Sequence, residues 1–127
     1  MLVTALVLAA LAAALHVYIF VMESVLWTTP RVRATFGMTE TDAVATRAMA
    51  LNQGFYNLFL AIVTAAGIVA WAAGSHSVAV ALVIAGVGSM LAAAIVLIVS
   101  DRTKASAAIK QAMFPLLALV ALAISAL

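Results

Sequence analysis

The sequence predicts an all-α fold, a bundle of four transmembrane helices with both termini on the outer side. Three observations carry this expectation. Hydrophobic residues make up 69% of the 127, charged residues make up 8%, and the charges gather in short stretches between long apolar runs. An ordinary soluble domain is about one-quarter charged, so this chain lacks the polar groups to cover a surface in water. Its mean hydropathy of +1.31 agrees. The length suits one integral membrane domain, residues 1–127, without a separate soluble module.

Apolar runs of about 20 residues are long enough to cross the hydrocarbon as helices. The first predicted span covers residues 2–27 and is stopped by Thr28-Thr29-Pro30. A cleavable signal peptide is the rival reading of residues 1–20, but the basic segment that would begin it is missing. A polar stretch from Arg31 to Thr41 follows, broken at Gly37. The second span covers residues 42–73, with Thr41 or Asp42 as its expected cap. Gly74-Ser75-His76-Ser77 forms a turn, and residues 78–100 form the third span. Asp101-Arg102-Thr103-Lys104 is the last turn, and residues 105–127 form the fourth span.

Charge sets the expected orientation. Arg31, Arg33 and Arg47 flank the first connection, Arg102, Lys104 and Lys110 flank the third, and the middle turn has no basic residue. The positive-inside rule puts both basic loops in the cytoplasm. Six basic residues and a net charge of +2 are too sparse for a nucleic-acid footprint. The absence of cysteine excludes disulfides, thiolate metal sites and a cysteine nucleophile. In the third span, Ala85, Ser89 and Ala93 recur every four residues, as do Gly88 and Ala92. Such spacing lets helices approach closely, either inside the bundle or between subunits.

The second apolar pattern holds the most informative segment, Asn52-Gln53-Gly54-Phe55-Tyr56-Asn57. Its largely apolar part, Leu58 to Ala73, is too short to span alone at about 1.5 Å per residue. The carboxamides therefore lie in the membrane or at its edge, where polar side chains pair, line a wet cavity or hold a ligand. Counting helical rise places Glu23, Asn52, Gln53 and Gln111 in one tier near the cytoplasmic third. His16, Tyr56 and Asn57 form a second tier closer to the midplane. His16, Phe20, Glu23 and Trp27 share one stripe of the first helix. Gln53, Asn57 and Thr64 share a face of the second, with Asn52 and Tyr56 on the neighbouring one. Pro115 frees the carbonyl of Gln111.

Each residue has a structural reading beside a functional one. Glu23 either pairs with a nearby arginine or serves a site. His16 holds a structural hydrogen bond to Asn57 or Tyr56, transfers a proton, or ligates a metal or haem. The amides serve as interhelical glue or as ligand contacts. Trp27 and Trp71 are expected to anchor opposite faces of the membrane.

Several segments together resemble the DUF1304 family. They are His16-Val17-Tyr18-Ile19-Phe20-Val21-Met22-Glu23 with Trp27, then Arg33…Phe36-Gly37, the run Asn52 to Leu60, and Gln111…Pro115. The resemblance implies a small bacterial membrane protein, hence a multi-pass protein of the bacterial inner (cytoplasmic) membrane, and implies no activity. Arg47 and Asn52 are also similar to an element of the MAPEG four-helix membrane enzymes. The acidic residue that follows in those enzymes is missing, with Gln53 and Gly54 in its place. That likeness implies an oligomer acting on lipophilic substrates.

The functional expectation is a polar pocket near the cytoplasmic side that binds a lipophilic small molecule, with isomerisation or epoxide opening as its chemistry if it is an enzyme. His16, Glu23 and Tyr56 are the candidate catalytic residues. Asn52, Gln53, Asn57 and Gln111 are the candidate substrate-binding residues. No metal and no cofactor are expected, haem on His16 being the alternative. The expected partners are membrane lipid, a lipophilic small molecule, and further copies of the chain in a dimer or trimer. A small transporter or channel for protons or a polar solute is the second reading, and a structural accessory protein the third.

Overall fold

The computed structural model describes residues 1–125. The last two residues of the expected fourth span therefore lie outside the described residues. Helix α1 runs Leu2–Phe20 and continues as a π-helical turn, Val21–Val25. Helix α2 is Pro30–Phe36, α3 is Glu40–Ala72 and α4 is His76–Ser100. A 3₁₀ turn at Arg102–Lys104 leads into α5, Ala105–Ser125. Four helical stretches, Leu2–Val25, Glu40–Ala72, His76–Ser100 and Arg102–Ser125, are long and apolar enough to cross a membrane. The chain is a multi-pass membrane protein.

The four long helices form a ring. α1 packs beside α3 and α5, α4 packs beside the same two, and α1 and α4 face each other across the diagonal. Contacting residues run in opposite directions along the α1–α3 and α3–α4 pairs. Trp27 meets Thr46 while Glu23 meets Asn57, and Gly67 meets Val83 while Thr64 meets Gly86. Neighbours are therefore antiparallel, the up-and-down bundle that short connections favour.

Helix α2 falls within the segment expected to be a polar stretch. Pro30 starts it, because a first helical residue needs no N–H and proline already has the helical φ. Gly37 ends it at φ 65°, where Met38 N–H donates to the Arg33 carbonyl at 2.9 Å, a closing pattern that favours glycine. Val32 is buried, and Phe36 packs on Trp27 with ring centroids 5.2 Å apart. Lys104 Nζ donates to the Phe36 carbonyl at 2.9 Å, tying the two basic loops together at one end of the bundle.

The cap of α3 lies two residues before Thr41 and three before Asp42, the two expected caps. Thr39 is the cap, its Oγ1 accepting from Asp42 N–H at 3.1 Å while Asp42 Oδ2 accepts from Thr39 N–H at 3.4 Å, a reciprocal capping box. The 33 residues of α3 reach about 50 Å. Its first turns therefore project beyond a hydrocarbon layer of about 30 Å.

The apolar core lies toward the end away from the basic loops. Ala5, Ala9 and Ala12 of α1 meet Val83, Val87 and Met90 of α4 and Ala118, Ala121 and Leu122 of α5. Ala85, Ser89, Ala92 and Ala93 turn outward instead. α4 enters the bundle through Val83, Gly86, Val87, Met90 and Ala94.

The loop at Asp101 carries a pH dependence. Its Oδ1 accepts from Thr103 N–H at 2.9 Å and from Thr103 Oγ1 at 2.6 Å. These bonds, and then the nearby Lys104, hold the carboxyl below its ordinary value. A depressed pKa means that the turn is supported above the ordinary carboxylate range and loosens as pH falls through the depressed value. Measured against the intrinsic exchange rate at each pH, amide protection at Thr103 and Lys104 is expected to fall on acidification, and Asp101→Asn is expected to flatten that response.

Candidate functional site

The polar site is built where α1 gives way to its π turn. Leu26 N–H donates to the Val21 carbonyl at 3.0 Å, five residues back, so one extra residue is accommodated between Phe20 and Leu26. Such π turns interrupt a helix locally and recur at functional sites. Here the turn packs on α3 and carries Glu23 into the α1–α3 seam, where it is only 8% exposed. Gly54 makes this approach possible. A Cβ there would run into the Ser24 hydroxyl and lie 3.1 Å from Glu23 Cβ and 3.2 Å from the Phe20 carbonyl. Ser24 Oγ in turn donates to the Leu51 carbonyl at 3.2 Å, fastening the turn to α3.

Asn57 faces this turn from α3. Its Nδ2 donates to Glu23 Oε2 at 2.9 Å and to the Gln53 carbonyl of its own helix at 3.1 Å. Two acceptors around one nitrogen fix which end of the carboxamide is NH₂. Asn57 Oδ1 therefore points elsewhere. Neither Asn57 Oδ1 nor Glu23 Oε1 has a hydrogen-bond partner among the described residues, and neither is sealed from the surface. The seam thus presents two free acceptors on two side chains already bonded to each other.

Depth counting places Glu23 and Asn57 in different tiers. The structure joins them because side chains on a helix lean toward its N-terminus. In antiparallel neighbours these leans oppose, so Glu23 and Asn57 reach toward each other along the membrane normal.

His16 stands further along α1 and is fully buried. Its Nδ1 lies 2.9 Å from the Ala12 carbonyl, one turn back. Since a carbonyl only accepts, the proton sits on Nδ1 and leaves Nε2 a bare lone pair. Among the described residues, Nε2 has no partner and no access to the surface. This is not the expected bond to Asn57 or Tyr56. A simple count of α1 puts His16 about 10 Å from Glu23 along the axis.

The remaining candidates lie apart from the pair. Asn52, Gln53 and Tyr56 face outward, Tyr56 with 65% of its surface exposed and its ring edge-on to Phe59 at 6.4 Å. A helix turns about 100° per residue, so a six-residue polar run spreads around α3. Gln111 is half-buried on α5, across the ring from α3, and Pro115 beside it is buried without ending the helix. Among the described residues no arginine pairs with Glu23, and Arg33 instead pairs with Glu40 at 3.1 Å. Sequence reasoning missed Ser24 and Gly54 as parts of the site, and also the Trp27 Nε1 donor to Thr46 Oγ1 at 3.2 Å. The Gly54–Glu23 closeness has a faint sequence sign, a glycine three residues before an intramembrane asparagine.

Among the described residues, no three of His, Cys, Asp or Glu gather as a metal site would require. A concavity of about 640 Å³ lies against Glu40, Thr41, Val44 and Ala45, and another of about 490 Å³ opens near Trp71 and Leu122. Both are away from the pair.

Fold and site together define a class: a four-span integral membrane bundle with a carboxyl–carboxamide pair buried at a π turn. A comparison with protein families is more particular. The model for "Protein of unknown function (DUF1304)" matches residues 10–123, and the chain belongs to that family. No curated protein and no solved structure matches it.

Proposed function

We propose that the chain binds, within the membrane, a lipophilic small molecule whose polar head donates hydrogen bonds to Glu23 and Asn57. The observation that carries this reading is the pair of free acceptors, Glu23 Oε1 and Asn57 Oδ1, reachable at the α1–α3 seam. Unengaged acceptors in hydrocarbon are costly, and a hydroxyl or protonated amine would satisfy both at once. A carboxylate head would not, since it brings acceptors to acceptors. The site lies toward the end that carries the six basic residues, so under the positive-inside rule it opens on the cytoplasmic side. We assign the host membrane as a bacterial inner membrane, on the strength of the family. If the bound molecule is turned over, Glu23 is the group placed to exchange a proton with its head. Asn52, Gln53 and Tyr56 face away and take no part in this reading.

The test uses dodecylamine and dodecanoate as probes, titrated against the protein in nanodiscs. Wild type is expected to prefer the amine by about tenfold or more, the scale of a charge-assisted hydrogen bond. Glu23→Gln keeps the shape of the side chain and is expected to erase most of that preference. Equal affinity for both probes, or a preference unchanged in Glu23→Gln, would falsify the assignment.

A second reading rests on His16. His16 is the next buried titratable group beyond Glu23 on α1, and because its unpartnered Nε2 is sealed from the surface among the described residues, a proton pathway through it requires the bundle to open there. Proton flux into liposomes that disappears in His16→Leu would favour that reading over simple binding.

A further inference from the structure

The outward face of α3 carries its own pattern, independent of the Glu23–Asn57 site. The face that enters the bundle includes Ala43, Ala50, Asn57 and Thr64, recurring every seven residues. Two positions along, and so about 200° around the helix, lies a second series: Ala45, Asn52, Phe59 and Ala66. Between these fall Ala48, Phe55, Ile62 and Val69. All eight are exposed, and none is charged. A 3–4 alternation of apolar residues with one asparagine is the seam of a paired helix.

Depth makes the asparagine decisive. Trp27 donates to Thr46 and Trp71 lies near the other end of the same helix, so the two tryptophans mark the two interfaces. From Thr46 to Trp71 is about 38 Å, and Asn52 lies about 9 Å inside the first mark. An outward carboxamide at that depth faces lipid tails, which offer it no hydrogen bond. Its own kind supplies both a donor and an acceptor. All copies insert with the same orientation, so two α3 helices meet in parallel and each residue faces its counterpart across a twofold axis.

We infer that α3 is a pairing surface for a second copy of this chain, with Asn52 opposite Asn52 setting the register. Tyr56 and Phe59 flank that contact. The two seams give α3 separate faces for its own bundle and for its partner.

The absence of cysteine allows single cysteines to be placed without removing others. Ala45→Cys, Ala48→Cys and Ala66→Cys are oxidised in native membranes, beside Ser89→Cys on the outward small-residue face of α4 and Val120→Cys on α5. Disulfide-linked dimers are expected at the α3 positions, about fivefold above the other two. Adding Asn52→Leu to Ala66→Cys is expected to lower that yield several-fold, as loss of an interhelical polar pair does. The Asn52 side chain makes no hydrogen bond among the described residues, so the variant is expected to fold; its helicity and thermal midpoint are checked beside wild type. Dimers strongest at Ser89→Cys, or equal at all positions, overturn the pairing through α3. A yield unchanged by Asn52→Leu overturns the role of the asparagine.

Discussion

Asn57→Leu alone is expected to destabilise the bundle by about 2–3 kcal/mol, while the double variant Glu23→Leu/Asn57→Leu returns to within about 1 kcal/mol of wild type. The asymmetry follows from the geometry of the pair. Removing Asn57 strips Glu23 Oε2 of its 2.9 Å donor and leaves a carboxyl group buried at the seam without that partner. Removing both leaves two apolar side chains that pack across the same seam, and no orphan remains. The intact pair itself is worth only about 1 kcal/mol, because the separated helices would also find partners for their polar groups. The readout is a double-mutant cycle on unfolding free energy, since residues in contact show a coupling that distant ones lack. A double variant no more stable than Asn57→Leu would mean that the two side chains do not share their energy. That result would remove the physical basis for treating them as one site.

The second large effect concerns the α3–α4 contact. Gly67→Ala is expected to cost about 1–3 kcal/mol, the usual scale for forcing extra volume into a packed interface. A Cβ at Gly67 would lie 2.9 Å from the Val83 nitrogen and 3.0 Å from the Ala79 carbonyl. Those are backbone atoms of a facing helix, and they cannot swing aside as a flexible side chain would. Gly86 shows the reverse contact, its missing Cβ occupied by Thr64. Gly88 is the internal control, since a Cβ there meets nothing within 4 Å. Gly88→Ala is therefore expected to be neutral or to gain up to about 1 kcal/mol from improved helix propensity. Comparing the two alanine variants by thermal unfolding separates packing from backbone entropy. Equal effects at both sites would contradict the close approach.

The four spans were legible because hydropathy over about 20 residues is a strong signal with few rivals. Naming Thr41 or Asp42 as the cap set the start of α3 too late, because Thr39 and Asp42 act as a reciprocal pair three residues apart. Residues 30–36 carried the marks of a helix in Pro30 and Gly37, obscured by the charges at Arg31 and Arg33. The candidate site was legible in its residue types more than in its pairing. Glu23, Asn57 and His16 stood out as polar groups in an apolar chain. Axial counting could not pair Glu23 with Asn57, because it places each residue at its backbone and ignores the opposite leans of the two side chains. It also gave Asn52, Gln53 and Tyr56 to the same cluster, although 100° of rotation per residue carries them to another face. The π turn had no sign in composition at all. It exists because α3, with Gly54, offers a surface onto which the widened turn can settle.

That turn has a consequence for how α1 is phased. One additional residue in a helix shifts everything after it by about 100° relative to an uninterrupted helix. The segment up to Phe20 keeps the register that presents Ala5, Ala9, Ala12 and His16 to the interior. The segment beyond it obeys a different register, which brings Trp27 to Thr46 and Phe36. The two ends of one membrane crossing are thus set independently, as two gears joined by an offset coupling. The carboxyl group of Glu23 sits in the coupling itself, where any change of register would be felt first.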